Sequence, residues 1–166
     1  MTESVTLKVY PHNMNQNLRN EQFAALTKAN GGASMYAQSG EIVAPGSKAF
    51  FVGGVSNSSG KRIPTEYVPQ GEFNDEAVEK HRQRINQEAP DSKTMLGSWV
   101  DTKHSDSPVE IDASESYPNL KQALDVARSR REKAVFSNAR GESIYTRPKG
   151  LSVGTMPSRR LLKGKQ

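Results

Sequence analysis

The strongest helical pattern in the chain spans residues 119–127. Four apolar residues recur at the spacing i, i+3, i+4 and i+7, which places them on one face of a helix: Leu120, Ala123, Leu124 and Ala127. Asn119 precedes them as an N-cap residue, and Gln122 follows it three residues later in a variant of the capping box. The pattern predicts a helix with one buried face.

Short apolar segments lie on both sides of this helix. Segments 98–101 and 109–113 precede it, and segments 134–137 and 143–146 follow it. The last two are separated by the turn residues of 138–141, so the pattern predicts the order β-β-α-β-β. The expected fold class is α+β, with a small antiparallel sheet that contains this C-terminal unit and with extended N- and C-terminal arms.

The N-terminal part of the chain has a weaker pattern. Residues 5–10 alternate weakly and predict a strand, whereas 11–20 have almost no apolar periodicity and predict extended or partner-dependent structure. Asn20 is the expected cap of a short helix over 21–29. Gly31 follows this helix and is expected to end it, because glycine tolerates a positive φ.

A hairpin and a strand are expected next. Segments 34–38 and 41–44 flank Ser39 and Gly40, which form a two-residue turn signal. Residues 48–55 are the most apolar run of the chain. This run predicts a central strand of the sheet.

The middle of the chain combines an irregular segment with a helix. Residues 56–72 contain two prolines, two glycines and three serines, which predicts a long loop or an extended arm. A helix is expected over 75–88, with Asn74 or Asp75 as its cap. Its apolar stripe is sparse, so the helix is expected on the surface.

Positive charge is concentrated at the C-terminal end. The chain carries a net charge of +5, of which residues 147–166 contribute +6, so residues 1–146 carry −1. Three regions are therefore expected: a strand and short helix over 1–30, an α+β body over 31–146 and a basic tail over 147–166. The body itself has no basic excess that would favour nucleic acid as a partner.

The tail contains more apolar residues than a solvated basic segment needs, among them Leu151, Val153 and Met156. We expect it to bind a protein partner or other copies of the chain in an assembly, with its cations adding electrostatic attraction. The expected partner-binding residues are Arg147, Lys149, Arg159, Arg160, Leu161, Leu162, Lys163 and Lys165. Nucleic-acid binding through the same cations is the alternative.

Several classes of chemistry lack their sequence signals. The chain has no cysteine, which excludes disulfides, thiolate nucleophiles and zinc–thiolate sites. It contains neither a Gly-x-x-x-x-Gly-Lys-Ser/Thr loop nor a Gly-x-Ser-x-Gly elbow. No apolar stretch approaches the roughly 20 residues that span a bilayer, so no membrane is expected among the partners. We assign no catalytic residue, metal or cofactor, and we favour a non-enzymatic role while leaving an enzymatic one open.

Two carboxylates are the best candidates for chemistry. If their strands pair, Asp101 and Asp112 could lie close enough for acid–base work or metal binding. The favoured interpretation is that each accepts backbone N–H bonds at the end of its strand. His104 and Asp106 follow Asp101 closely and are expected in a solvated turn rather than in a metal site.

Three other features also have a structural and a functional interpretation. His81 is isolated on a polar helix and is expected to be exposed or at an edge, whereas Trp99 is expected in the core rather than in a binding surface. Four cations follow the predicted helix: Arg128, Arg130, Arg131 and Lys133. They are expected to stabilise its C-terminal end, and together with the tail they could form a basic face.

Three short patches carry a family resemblance. They are Gly97 to Asp101, Val109 to Asp112, and 123–144 with its Ala-Val-Phe and Gly-Glu-Ser-Ile segments. With the hairpin region 31–55, they resemble a small uncharacterised domain of hypothetical proteins from bacteriophages and mobile elements, over residues 31–146. The resemblance implies a setting and no catalytic residue, because the family has no known activity. Where its pattern has a glycine-containing hairpin, this chain has the longer turn 102–108.

Three functional hypotheses follow. The favoured one is a non-enzymatic bacteriophage interaction or structural protein, a virion or capsid-associated component held to an assembly by extended arms. The alternatives are a nucleic-acid-binding accessory protein that uses the basic tail and a small phage-encoded host inhibitor or enzyme. With no signal peptide visible in the sequence, the expected location is the host cytoplasm or the virion.

Overall fold

The computed structural model describes residues 15–147. The elements in chain order are α1 (Gln16–Asn30), β1 (Gly32–Tyr36), β2 (Phe50–Val52), β3 (Glu66–Val68), α2 (Asp75–Glu88), β4 (Thr94–Trp99), β5 (Val109–Tyr117), α3 (Leu120–Ser129), β6 (Ala134–Ser137) and β7 (Glu142–Tyr145). The fold is α+β, as predicted. None of the helices in this part of the chain is long and apolar enough to cross a membrane. The strand predicted over 5–10 lies outside the described residues.

The described chain forms two compact units. The first unit comprises residues 15–44 and 55–115, and the second comprises 45–54 and 116–147. Each unit has its own buried apolar cluster.

The first unit is an antiparallel sheet covered on one face by α1 and α2. Its strands lie in the order β1-β4-β5-β3. Side chains alternate between the faces of a sheet, so residues opposite one another in register share a face. Met35, Leu96 and Ala113 are such a row, and all three belong to the buried cluster that also contains Phe23 and Ile85 of the helices. This face of the sheet is the core of the unit.

Helix α1 begins earlier than its apolar pattern predicts. The start predicted at residue 21 and the extended structure predicted for 16–20 are wrong, because Asn15 is the N-cap and its side chain accepts a hydrogen bond from the backbone N–H of Asn17. The first turn is held by polar contacts, such as Gln16 Nε2 donating to Asn20 Oδ1 at 2.9 Å. The predicted end is confirmed, since Gly31 has a φ of 88°.

The segment 56–72 is packed, and the prediction of an extended arm there is wrong. A bridge between Ser56 and Arg62 closes its first turn, and β3 then pairs with the start of β5. Ile63 and Val68 are buried in the core of the first unit. Two apolar side chains without any periodicity were enough to anchor a segment whose composition is otherwise that of a loop.

Other boundaries in the first unit shift by a few residues. Helix α2 begins after Asn74, which accepts a hydrogen bond from the N–H of Ala77, as predicted. The predicted hairpin forms only in part, because Met35 pairs with Ile42 in an isolated bridge rather than in a second strand. Strand β4 begins four residues before its predicted segment and ends two residues before the end of that segment, whereas β5 extends four residues beyond its predicted end.

The second unit packs α3 against β2, β6 and β7. Asn119 caps α3 by accepting from the N–H of Gln122, and the predicted buried face is confirmed, since Ala123 and Ala127 are fully buried. They pack with Val52 and Val135. The two strands after the helix form an antiparallel pair, so the β-β-α-β-β order is confirmed in sequence. Strand β2 has only three of the eight residues predicted for it.

A polar network joins α1 and α2 at the side of the core. Glu79 accepts hydrogen bonds from Asn20 at 2.9 Å, Arg82 at 2.9 Å and Gln83 at 2.6 Å, and Arg82 also donates to the carbonyl of Ala37. Partial burial alone would raise the pKa of Glu79, but these hydrogen bonds, with the Arg82 charge, lower it from 4.5 to about 2. The folded state therefore favours the ionised carboxylate.

Replacing Glu79 should change stability in a defined pH range. Because the pKa is lower in the folded state, the stabilisation is complete above pH 4.5 and is lost as the pH falls towards 2. We expect Glu79→Gln to lower the free energy of unfolding by about 1–2 kcal/mol at pH 7, with the difference disappearing near the folded-state pKa. Urea unfolding at several pH values measures this. The exposed Glu21→Gln is the control, and an equal effect of both variants would contradict the assignment.

Candidate functional site

The turn after β4 contains an aspartate–histidine pair. Asp101 Oδ2 lies 2.8 Å from His104 Nδ1, and Asp101 Oδ1 accepts the backbone N–H of Lys103 at 3.0 Å. The imidazole side chain is 64% exposed. The favoured interpretation of Asp101, an acceptor for backbone N–H at the end of a strand, is confirmed.

The nearby serine does not complete a catalytic triad. Ser107 Oγ donates to the carbonyl oxygens of Asp101 and His104, which ties the turn together. Gln70 Nε2 donates to the carbonyls of His104 and Ser107 and reinforces the same turn. A nucleophilic serine would instead donate to the imidazole nitrogen that acts as its base. The geometry is that of a hydrogen-bonded turn.

The register of β4 and β5 keeps the two candidate carboxylates apart. Asp112 lies opposite Gly97, and Asp101 is four residues further along the chain. At roughly 3.3 Å per residue this is a separation of about 13 Å along the strand direction. Asp112 lies inside β5 and accepts a hydrogen bond from the side chain of Thr65, at 2.7 Å from Oγ1, so its predicted position at a strand end is wrong. The hypothesis of a shared carboxylate site is therefore wrong, and residues 15–147 contain no group of three or more residues suited to hold a metal ion.

His81 is buried, and its predicted exposure is wrong. Only 5% of the residue is accessible, because it lies with Val78 and Ile85 on the inner side of α2. Burial lowers the pKa of His81, and the charges of Arg84 and Lys80 lower it further against the opposing effect of Glu66. The Arg84 guanidinium lies 3.3 Å from Nδ1, which favours a neutral ring with that nitrogen as acceptor.

Protonation of His81 should destabilise the first unit at mildly acidic pH. Since the folded-state pKa is depressed below 6.5, stability is complete above that value and is lost as the pH falls towards the folded-state pKa. We expect His81→Gln to remove this part of the pH dependence of the melting temperature between pH 8 and 5. The exposed His104→Gln serves as the control and should retain it. An unchanged pH profile in His81→Gln would contradict the prediction.

Two of the four cations at the C-terminal end of α3, Arg128 and Arg130, have hydrogen-bond partners in the second unit. Arg128 donates to the carbonyl of Thr146, and Arg130 donates to the carbonyl of Gly53 at 3.1 Å. Arg128 also pairs with Asp125 on the helix surface. These contacts link the end of α3 to neighbouring segments of the second unit, whereas the expected stabilisation of the helix end by the four cations stays a prediction.

The sheet face opposite α1 and α2 holds side chains that the sequence analysis did not group. Register places Tyr67 of β3 opposite Glu110 of β5, and Glu110 opposite Trp99 of β4. Asp112 follows Glu110 by two residues and therefore lies on the same face. We call this the helix-free face, because α1 and α2 both pack on the other face. Trp99 lies on it, half-buried, and is not a member of the core cluster, so its predicted core position is wrong.

Exposure is uneven across the helix-free face. Met95 and Ser114 lie opposite one another on it and are buried, whereas Tyr67 at the β3 end is 61% exposed. Tyr67 is the most exposed large hydrophobic residue of the described chain. The sequence holds only a weak signal for β3, since Thr65, Tyr67 and Val68 are residue types that are enriched in strands. The strand was missed because prolines on both sides favoured a loop.

The predicted partner-binding residues fall almost entirely outside the described chain. Arg147 is described and exposed. The other seven residues, from Lys149 to Lys165, lie outside the described residues, and so does His12. The partner-binding role of these seven residues therefore stays a prediction.

Comparison with known proteins adds no relative. No family model, no curated protein and no solved structure matches this chain.

Proposed function

We propose that this chain is a non-enzymatic interaction protein of a bacteriophage or mobile element, held in an assembly by its tail, residues 147–166. The observation that carries the proposal is the division of charge. Six cations and no acidic residue occupy the tail, whereas the preceding residues sum to a charge of −1. A tail whose charged residues are all positive, and which also contains leucines, is suited to bind an acidic and partly apolar protein surface.

The described part of the chain supports a binding role by its own contacts. Asp101, His104 and Ser107 are engaged in a turn, and Asp112 is bonded to Thr65. These residues were the strongest candidates for catalysis, and their hydrogen bonds stabilise the local structure instead. The setting of the proposal, a virion or capsid-associated component, comes from the family resemblance of residues 31–146.

The packing of segment 56–72 reduces the number of segments that could attach the chain to an assembly. This segment was expected to act as one of the arms that reach an assembly, but it supplies Ile63, Val68 and β3 to the first unit. The tail is then the main attachment segment. Nucleic acid remains the alternative ligand of the tail, and it would bind through phosphate contacts that weaken steeply with salt.

Removing the tail should abolish association and leave the rest of the chain folded. We expect the chain that ends at Thr146 to keep its circular dichroism spectrum and to melt within about 3 °C of the full chain, since each unit has its own core. Size-exclusion chromatography with light scattering should show an associated full chain and a monomeric truncated chain. A truncated chain that unfolds, or that associates like the full chain, would overturn the proposal.

A matched variant distinguishes the two ligands of the tail. Leu161→Ser with Leu162→Ser retains all six cations of the tail. Association with protein should weaken in this variant, whereas binding to a fluorescein-labelled 20-base-pair DNA should not. Anisotropy between 50 and 300 mM salt completes the test, because a steep salt-dependent affinity for DNA in both chains would favour the nucleic-acid alternative.

A further inference from the structure

We propose that the β3 end of the helix-free face, around Tyr67 and Asp112, binds the basic tail of a second copy of this chain. The inference rests on the proposed function, in which the tail attaches the protein to an assembly, and it names the surface that receives the tail. The segment of the tail that suits this surface best is 156–163, which contains Arg159 and Arg160 between Met156 and Leu161.

The position of Tyr67 defines the surface. The residue is 61% exposed, and it lies directly opposite Glu110 and diagonal to Asp112 on the same face. Opposite residues in an antiparallel pair have Cβ atoms about 5 Å apart, and diagonal ones are about 7–8 Å apart. An exposed aromatic ring therefore lies beside two carboxylates. Thr65 Oγ1 holds one of them by donating to Asp112 Oδ1 at 2.7 Å.

The charge of the sheet complements the charge of the tail. Strands β1, β3, β4 and β5 contain four acidic residues and no lysine, arginine or histidine. Two of the four, Glu110 and Asp112, lie on the helix-free face, whereas Ile111 between them faces the core. The tail contains cations only. The charged residues of these strands and those of the tail are therefore of opposite sign.

The side chains of the tail match the chemistry of the surface. A guanidinium group binds a carboxylate through two parallel hydrogen bonds and also stacks on an aromatic ring. Arg159 and Arg160 can use both modes beside Tyr67, with Leu161 and Leu162 covering the exposed part of the ring. Four strands span about 14 Å between their outer axes, and five extended residues reach about 17 Å, so residues 159–163 suffice to cross the sheet.

The edge of β3 is less suited to receive the tail than the face. Pro64 and Pro69 flank this strand of three residues. Proline has no N–H to donate, and such short, proline-flanked edges resist the addition of another strand. Docking across the face, through side chains, therefore agrees better with the local sequence than strand addition does.

Contact between the tail of one copy and the face of the next is heterologous. Each copy then offers one donor segment and one acceptor surface, so association continues until a ring closes or a filament grows. Blocking the face on one copy and the tail on another should leave a single usable contact. A mixture of the two should stop at a dimer.

Two variants of the full chain provide this test. Tyr67→Lys removes the ring and adds a positive charge to the face, while it leaves the bond between Thr65 and Asp112 intact. Arg159→Glu with Arg160→Glu reverses the charge of the tail segment. Leu18→Lys is the matched control, because Leu18 is also a large exposed hydrophobic residue, at 51%. Melting temperatures establish that all variants fold, and Tyr67→Ser replaces Tyr67→Lys if the lysine variant does not.

Sedimentation velocity then measures association at increasing concentration. We expect the wild type and Leu18→Lys to associate, Tyr67→Lys to weaken association by about 30-fold or more, and the tail variant to remain monomeric. An equimolar mixture of the face variant and the tail variant should form a 1:1 dimer. A monomeric mixture, or a wild type that is monomeric at every concentration, would overturn the inference.

Two other outcomes separate this inference from the proposed function. If the tail variant is monomeric but Tyr67→Lys associates like the wild type, the tail binds elsewhere, so the inference fails and the proposed function stands. If the tail variant associates like the wild type, the tail does not hold the copies together. Both proposals then fail.

Discussion

The pairing of β4 with β5 decides which side chains of the first unit meet the helices and which do not. A shift of one residue would move every side chain of a strand to the opposite face. Leu96 and Ile111 would then leave the core, and Trp99 would enter it. The buried hydroxyl groups of Ser98 and Thr27 lie 2.7 Å apart and link β4 to α1. This hydrogen bond and the apolar core both stabilise the register. Strand β1, the other neighbour of β4, is also constrained. A Cβ atom added to Gly32 would lie 2.8 Å from the carbonyl oxygen of Ser98.

Polar residues form a large share of the contacts that close this unit. Asn20 is fully buried within α1, and its amide donates to Glu79 of α2. Burying a polar group without a partner costs free energy, so such a network is useful only when its members are bonded. Glu79 has three side-chain donors, and Arg82 also reaches a backbone carbonyl. The two helices can therefore pack although their apolar stripes are narrow.

The distribution of charge connects this fold with the proposed role. The acidic residues of the first sheet are spread over both faces, and those on the helix-free face lie beside an exposed tyrosine. The cations of the tail are separated from them in the sequence, with no acidic residue among them. Residues that resembled catalytic groups, such as Asp101 and His104, are held in a turn by hydrogen bonds to the backbone and to one another. The proposed role therefore rests on the distribution of charge and not on these residues.

The sequence by itself determined the elements whose signals are local. Helix α3 with its Asn119 cap, the start of α2 at Asn74, the Gly31 end of α1 and the pair β6–β7 all follow from caps, turns and short-range apolar spacing. The charge of the tail is likewise a property of the sequence alone. The start of α1 and the strand β3 were missed, because polar side chains and isolated apolar residues stabilise them through partners distant in the chain.

Tertiary structure decided the candidate site. Asp101 and Asp112 both end or follow an apolar segment, and only the register shows that they are separated and that Asp112 lies beside Tyr67 instead. His81 has no local signal for burial, since its neighbours in the sequence are charged, yet α2 turns it inward. The physical reason is common to these cases. A side chain's exposure and its neighbours across a sheet depend on long-range pairing, which the pattern of nearby residues does not encode.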